Sequence, residues 1–167
     1  MATVSLQGSI CNTVSDIPET GNQAPDFCLI DLKLKEKCLA DFSGKKKIIY
    51  TVPSIDTQVC AITTKILNEL ASKHTDCVFL LVSADLPFAQ QRFVKQNKLK
   101  NIIFLSMMKS KQFAEDYGVL LVDGPLAGLA SRAIFIIDEN DVICYQQLVA
   151  DIASQPDFDE AMDNIIH

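Results

Sequence analysis

Several things are scarce in this sequence, and each shortage removes a class of function. No apolar run approaches the roughly 20 residues that a membrane-spanning helix needs, so no membrane partner is expected. Positive charge is in short supply: 15 Lys and Arg against 21 Asp and Glu leave a net charge of −6, whereas a nucleic-acid binder would present a basic face. The one basic run, Lys45-Lys46-Lys47, reads as a solvated turn before a strand. Cysteine occurs six times, at 11, 28, 38, 60, 77 and 144, yet no two stand at C-x-x-C spacing. That argues against a zinc site and against a thioredoxin-type dithiol, so no metal and no cofactor are expected. Met1 to Gly8 lacks a basic region followed by a long apolar core, so no secretory signal is expected and the cytoplasm is the expected compartment. A disulfide framework suits smaller secreted chains. Cys11, Cys28, Cys38, Cys77 and Cys144 are therefore read as small buried hydrophobes in reduced form. There is no internal repeat, low-complexity tract or linker.

What is present is enough apolar material for a core. Hydrophobic residues make up 49% of 167, and the mean hydropathy is +0.19. One domain over residues 1–167 is expected. Strand patterns fall at Thr3–Leu6 and Ser9–Val14, joined through Gly8 as a hairpin, then at 26–34, 47–52, 77–83, 102–105, 133–138 and 142–149. Helical spacing runs from Val59 to about Lys73, with Val59, Ile62, Ile66, Leu67 and Leu70 as its apolar face and Thr64, Lys65, Asn68 and Ser72 opposite. A second helix begins after Asp85 and Pro87, with Phe88, Ala89, Phe93 and Val94 as its apolar side. A third spans about 109–117 and ends at Gly118. A fourth carries Phe158, Ala161, Met162, Ile165 and Ile166 on one face. Alternating strands and helices followed by a hairpin and a helix predict an α/β domain.

The chemistry gathers at Pro53-Ser-Ile-Asp-Thr-Gln-Val-Cys60. A buried strand stops at Pro53 and a helix starts just beyond, which puts the Cys60 thiol in a first helical turn. Unpaired N–H groups there carry partial positive charge and favour a thiolate, the reactive form. Thr57 offers a hydroxyl from the lip of the same turn and is also a plain N-cap. Pro53 closes one side without a competing N–H. Neither histidine serves as a base for Cys60. His74 lies across the helix, roughly 20 Å away at about 1.5 Å per residue, and His167 is the last residue.

Pro53-x-x-x-Thr57-x-x-Cys60 resembles the signature of the peroxiredoxins. Ser83-Ala-Asp-Leu-Pro-Phe-Ala-Gln90, Tyr117-Gly118-Val119, Gly124-Pro125-Leu126 and Ser131-Arg132-Ala133 extend the resemblance, in order, to the bacterial thiol peroxidase branch. It implies a thioredoxin-like fold of the peroxiredoxin type with the N-terminal β-hairpin as an addition. It also implies Pro53, Thr57, Cys60 and Arg132 as the active-site set, a peroxide substrate and a homodimer built around the active-site loops. Leu86, Phe88, Met107, Met108, Val119, Leu120 and Leu126 suit either that interface or a core. On the residues alone, Arg132 reads more readily as a surface salt bridge. As a cation at a sheet end, it would hold both the thiolate and a peroxide oxygen.

The sequence departs from the branch at one place. Thiol peroxidases usually carry a resolving cysteine directly after Arg-Phe or Arg-Trp on the second helix, and here Val94 follows Arg92-Phe93. Cys77 belongs at the far end of the Cys60 helix. Cys144, taken as paired with Ile136, belongs roughly 13 Å from the active end at about 3.3 Å per strand residue. Cys11, Cys28 and Cys38 stay open as substitutes, with Cys38 favoured by its loop position. The expectation is a thiol-dependent peroxidase whose sulfenic acid is resolved by an external thiol: thioredoxin, glutaredoxin or glutathione. The alternative is a non-enzymatic peroxide sensor that passes oxidation to a partner protein.

Overall fold

The computed structural model describes residues 1–166. His167 lies outside the described residues, as does the expected placement of the Ile166 side chain. In chain order the elements are β1 (Thr3–Leu6), β2 (Ser9–Asn12), β3 (Cys28–Ile30), β4 (Glu36–Cys38), a 3-10 turn (Leu39–Phe42), β5 (Lys46–Thr51), α1 (Gln58–Lys73), β6 (Cys77–Ser83), α2 (Pro87–Asn97), β7 (Ile103–Ser106), α3 (Gln112–Asp116), β8 (Ala133–Ile137), β9 (Ile143–Leu148) and α4 (Phe158–Ile166). β1 and β2 form the expected hairpin. The other strands form one sheet in the order β4-β3-β7-β6-β5-β8-β9. β5, β6 and β7 are parallel, and α1 and α2 supply the crossovers that parallel neighbours require. β8 runs antiparallel to β5 and β9 antiparallel to β8.

The central strands are buried on both faces, which is why they read as unbroken apolar runs. Ile48 and Tyr50 point into a core with Leu67, Phe79, Phe93, Phe104 and Phe158. Ile49 points the other way, towards Phe27, Phe113, Tyr117 and Phe135. Gly118 follows α3 with a positive φ, and a Cβ there would run into the Asp16 carbonyl. The hairpin turns through Gln7 and Gly8, both at positive φ, as a two-residue turn demands. Among the described residues no helix is long and apolar enough to cross a membrane.

Three expectations about faces need correction. Thr64 is fully buried and Ile62 is exposed, so the buried face of α1 is Cys60, Thr63, Thr64, Leu67 and Ala71. The threonines tolerate burial because their hydroxyls donate back to the Val59 and Cys60 carbonyls. Phe88 is exposed rather than packed under α2. The strand expected over 26–34 is only Cys28–Ile30, because the chain turns back at Asp31, whose carboxylate accepts from the N–H groups of Lys33 and Lys35.

Lys47 is buried, against its reading as part of a solvated turn. It is ion-paired to Asp141 at 2.6 Å and donates to the Lys45 carbonyl. Removing one partner of such a pair leaves an uncompensated charge. Asp141→Asn keeps a residue that accepts the positive φ at this turn and is expected to lower unfolding free energy by about 2–4 kcal/mol in urea titrations.

Candidate active site

The end of β5 organises the site. After Thr51 the chain passes through Val52 and Pro53, loops to Thr57 and enters α1. Thr57 caps the helix, its Oγ1 accepting from the Cys60 N–H at 3.3 Å. Cys60 is the third residue of the helix, within the first turn that its spacing predicts, and it is fully buried. β8 enters the sheet beside β5 with Ala133 opposite Thr51, so Arg132 arrives level with the loop. Pro53, Thr57, Cys60 and Arg132 meet at this one end of the sheet.

Arg132 is 1% exposed. Its Nη2 donates to Cys60 Sγ at 3.2 Å, Nη1 to Tyr50 Oη at 2.7 Å and Nε to the Ile152 carbonyl at 2.8 Å. No carboxylate pairs with it among the described residues. The surface salt-bridge reading of Arg132 is thus excluded. Burial works against its charge, but Tyr50 and Cys60 beside it act the other way, and the net direction of its pKa is upward. Burial also pushes the Tyr50 hydroxyl above the ordinary tyrosine value, against the pull of Arg132.

Two residues of the site were read only as structure. Tyr50 appeared as one more residue of a buried strand. A hydroxyl in an otherwise aliphatic core strand has to find partners, and this one bridges Arg132 and Thr63. Asp85 appeared as a helix start signal. Its carboxylate accepts from Ser54 Oγ and Ser83 Oγ and from the Ile55 N–H, all within 2.7–2.8 Å. One side chain thus holds the Pro53–Thr57 loop to the end of β6.

A cavity of about 300 Å³ opens above the pair. Pro53, Thr57 and Arg132 line it together with Leu6, Leu126, Leu129 and Ile152. A groove of similar size, between Asp31–Lys37 and Ile102–Phe104, holds no residue of the motifs.

The remaining cysteines do not all behave as small buried hydrophobes. Only Cys11 is buried, beside Val4, Leu121 and Ile152. Cys28 and Cys38 are bonded to each other, contrary to the expectation of reduced thiols without a disulfide. Cys77 pairs with Lys46, at the end of the sheet opposite the loop. Burial first, then Asp76, pushes its pKa up to about 11. Cys144 is exposed and sits in a β-bulge. The bulge makes Tyr145, not Cys144, the partner of Ile136. Val94 is half-buried on α2.

The family model described as Redoxin matches residues 19–163. The chain belongs to the redoxin family. Within it, similarity lies with the peroxiredoxins. A thiol peroxidase of Leptospira interrogans is 38% identical over 97% of this chain and 96% of its own length. A peroxiredoxin-like protein from Aquifex aeolicus superposes with a TM-score of 0.94 at 35% identity, covering 99% of this chain and 96% of that one. A thiol peroxidase from Chromobacterium violaceum gives 0.89 at 26% identity, over 98% and 94%. The thioredoxin-like peroxiredoxin fold with an added N-terminal hairpin is thereby shown.

Asp85→Ala removes two hydrogen bonds from the loop and a third from Ser83 at the end of β6. The Ile55 amide is expected to exchange its hydrogen faster by more than tenfold, equivalent to more than about 1.4 kcal/mol. Amides of β5 below Thr51 are expected to change little, which hydrogen-exchange mass spectrometry resolves by peptide.

Proposed function

We propose that this redoxin-family chain is a thiol-dependent peroxidase in which Cys60 is the nucleophile. The observation that carries the reading is the buried guanidinium of Arg132 with Cys60 Sγ at 3.2 Å and no carboxylate beside it. A buried charge needs a counter-charge. The guanidinium beside the Cys60 sulfur favours a thiolate, the form of cysteine that attacks peroxides.

The thiolate attacks one oxygen of the peroxide in line with the O–O bond. A sulfur–oxygen bond forms, the O–O bond breaks, and the second oxygen leaves as alkoxide or hydroxide and takes a proton. Sulfur loses two electrons and the peroxide gains them, so Cys60 becomes a sulfenic acid. Arg132 and the backbone N–H groups of the first turn stabilise charge as it shifts from sulfur to the leaving oxygen. Thr57 reaches the peroxide through its hydroxyl, and Pro53 shields the sulfur from water. The apolar cavity walls suit an alkyl hydroperoxide as well as hydrogen peroxide.

Resolution is external. Val94 occupies the usual resolving position, Cys28 and Cys38 sit on β3 and β4 with β7 and β6 between them and β5, Cys77 and Cys144 lie at the far end of the sheet, and Cys11 is enclosed. A small thiol or a thioredoxin- or glutaredoxin-type dithiol condenses with the sulfenic acid, releasing water and forming a mixed disulfide. A second thiol then releases Cys60. Glutathione fits the first role, in a cytoplasmic setting. A homodimer is favoured by exposed Leu86, Phe88 and Met108, which follow β6 and β7 at the same end of the sheet as the Cys60 loop.

Intact-mass measurement after one equivalent of hydrogen peroxide is expected to show one added oxygen on the wild type and none on Cys60→Ser, with glutathione or thioredoxin removing it over repeated cycles. An internal disulfide involving Cys60 would contradict external resolution. Light scattering of the same sample is expected to give twice the chain mass, and a monomer would exclude the dimer.

A further inference from the structure

Sequence spacing keeps Cys28 and Cys38 apart, but strand register brings them together. β3 and β4 form one edge of the sheet with Cys28 directly opposite Cys38, their Cα atoms 4.0 Å apart. Glu36 stands two residues before Cys38 on β4, so the pleat turns both side chains to the same face. Glu36 Oε1 lies 3.7 Å from Cys38 Sγ. The ligand atoms of Cys28, Glu36 and Cys38 all lie within 4.8 Å of one another. Cys28 and Glu36 are exposed and Cys38 is half-buried, so the cluster faces solvent. Glu36 has no cationic partner among the described residues.

We propose that this edge is a redox-controlled metal site. In the reduced protein Cys28, Cys38 and Glu36 hold one Zn²⁺ ion with water as the fourth ligand, and closure of the disulfide expels it. Zinc accepts thiolate and carboxylate together, at about 2.3 Å and about 2.1 Å, in a tetrahedral arrangement. Such an arrangement wants sulfur and oxygen ligands roughly 3.5 Å apart, close to the separation already present between Cys38 and Glu36. Only the two sulfurs need to rotate apart once their bond is broken. Two thiolates and a carboxylate at this spacing would repel one another, so without a cation the reduced pair is held as thiols. The disulfide relieves that repulsion in one state, and a dication relieves it in the other.

The chemistry balances with a dithiol as reductant. It passes two electrons and two protons to the Cys28–Cys38 bond and becomes a disulfide itself. Zinc then displaces the two thiol protons. In reverse, the two zinc-bound thiolates give two electrons to a hydroperoxide: the S–S bond forms as the O–O bond breaks, two protons from solvent complete the alcohol and the water, and the ion is freed. A cytoplasmic setting would keep the pair in the metal-binding form except under oxidation. Three strands, β3, β7 and β6, separate β4 from β5, so the site stands or falls independently of Cys60 chemistry.

The test is to reduce the whole chain with a phosphine, desalt it without oxygen, and titrate it with Co²⁺ as a spectroscopic probe before displacing it with Zn²⁺. The expected result is a sulfur-to-cobalt charge-transfer band saturating at one ion per chain, absent from the oxidised protein and from Cys28→Ser and Cys38→Ser. Glu36→Gln, which leaves the disulfide intact, is expected to weaken zinc by about tenfold or more, since even outer-shell partners of a metal are worth that much. A reduced wild type without the band would overturn the proposal. So would a band that survives in the Cys28→Ser, Cys38→Ser double variant, unchanged affinity in Glu36→Gln, or a disulfide that reduces only on unfolding.

Discussion

A guanidinium buried without a carboxylate is the constraint on which the rest of this structure depends. Leaving Arg132 uncompensated would be expensive, because the cost of desolvating a charge is repaid only by a close opposite charge and well-made hydrogen bonds. The fold supplies the hydrogen bonds from three directions: a carbonyl from Ile152, a phenol from Tyr50 and the sulfur of Cys60. Of these, only the sulfur can carry the negative charge readily. On the function proposed above, burial of the arginine and activation of the cysteine are one interaction seen from two ends.

The surrounding elements hold that pair in place. The β5–β8 register sets Arg132 beside the loop, and Thr57 fixes the first turn of α1. Asp85 ties the loop to β6, while the carbonyl of Asp85 accepts from Ser106 at the end of β7. The N-terminal hairpin takes part as well. Ile152 donates its N–H to the Ser5 carbonyl and accepts from Arg132 Nε through its own carbonyl, so one residue links the hairpin to the guanidinium. Leu6 from the hairpin forms part of the cavity wall. The addition to the common fold is thus part of the site and not an appendage.

Much of this was legible in the sequence because the decisive signals were local. A proline ending a strand, a threonine cap and a cysteine three residues later specify a turn whatever surrounds it. The alternation of strands and helices gave the α/β class, whereas Arg132 was legible only through the resemblance to the peroxiredoxins, since one arginine before a strand carries no local signal of its own. Long-range register was not legible. Cys28 and Cys38 stand ten positions apart across a turn, and no spacing rule pairs them. The bulge that leaves Cys144 unpaired depends on one extra residue in β9. The buried face of α1 was misread at Ile62 and Thr64, because a threonine that bonds to its own helix loses the polarity that the pattern assigns to it. Tyr50 was visible as buried, but the partner of its hydroxyl lies 82 residues away.

The central claim is that Arg132 makes Cys60 reactive towards the O–O bond, and the second-order rate constant for hydrogen peroxide in stopped-flow measures it directly. Arg132→Lys keeps a positive charge but loses the planar set of donors, and Arg132→Met loses both. Arg132→Met is expected to fall by about 10²–10³-fold or more, as loss of a preorganised donor to developing charge does, with Arg132→Lys between it and the wild type. A rate constant in Arg132→Met within a few-fold of the wild type, in a protein whose circular dichroism is unchanged, would contradict the account.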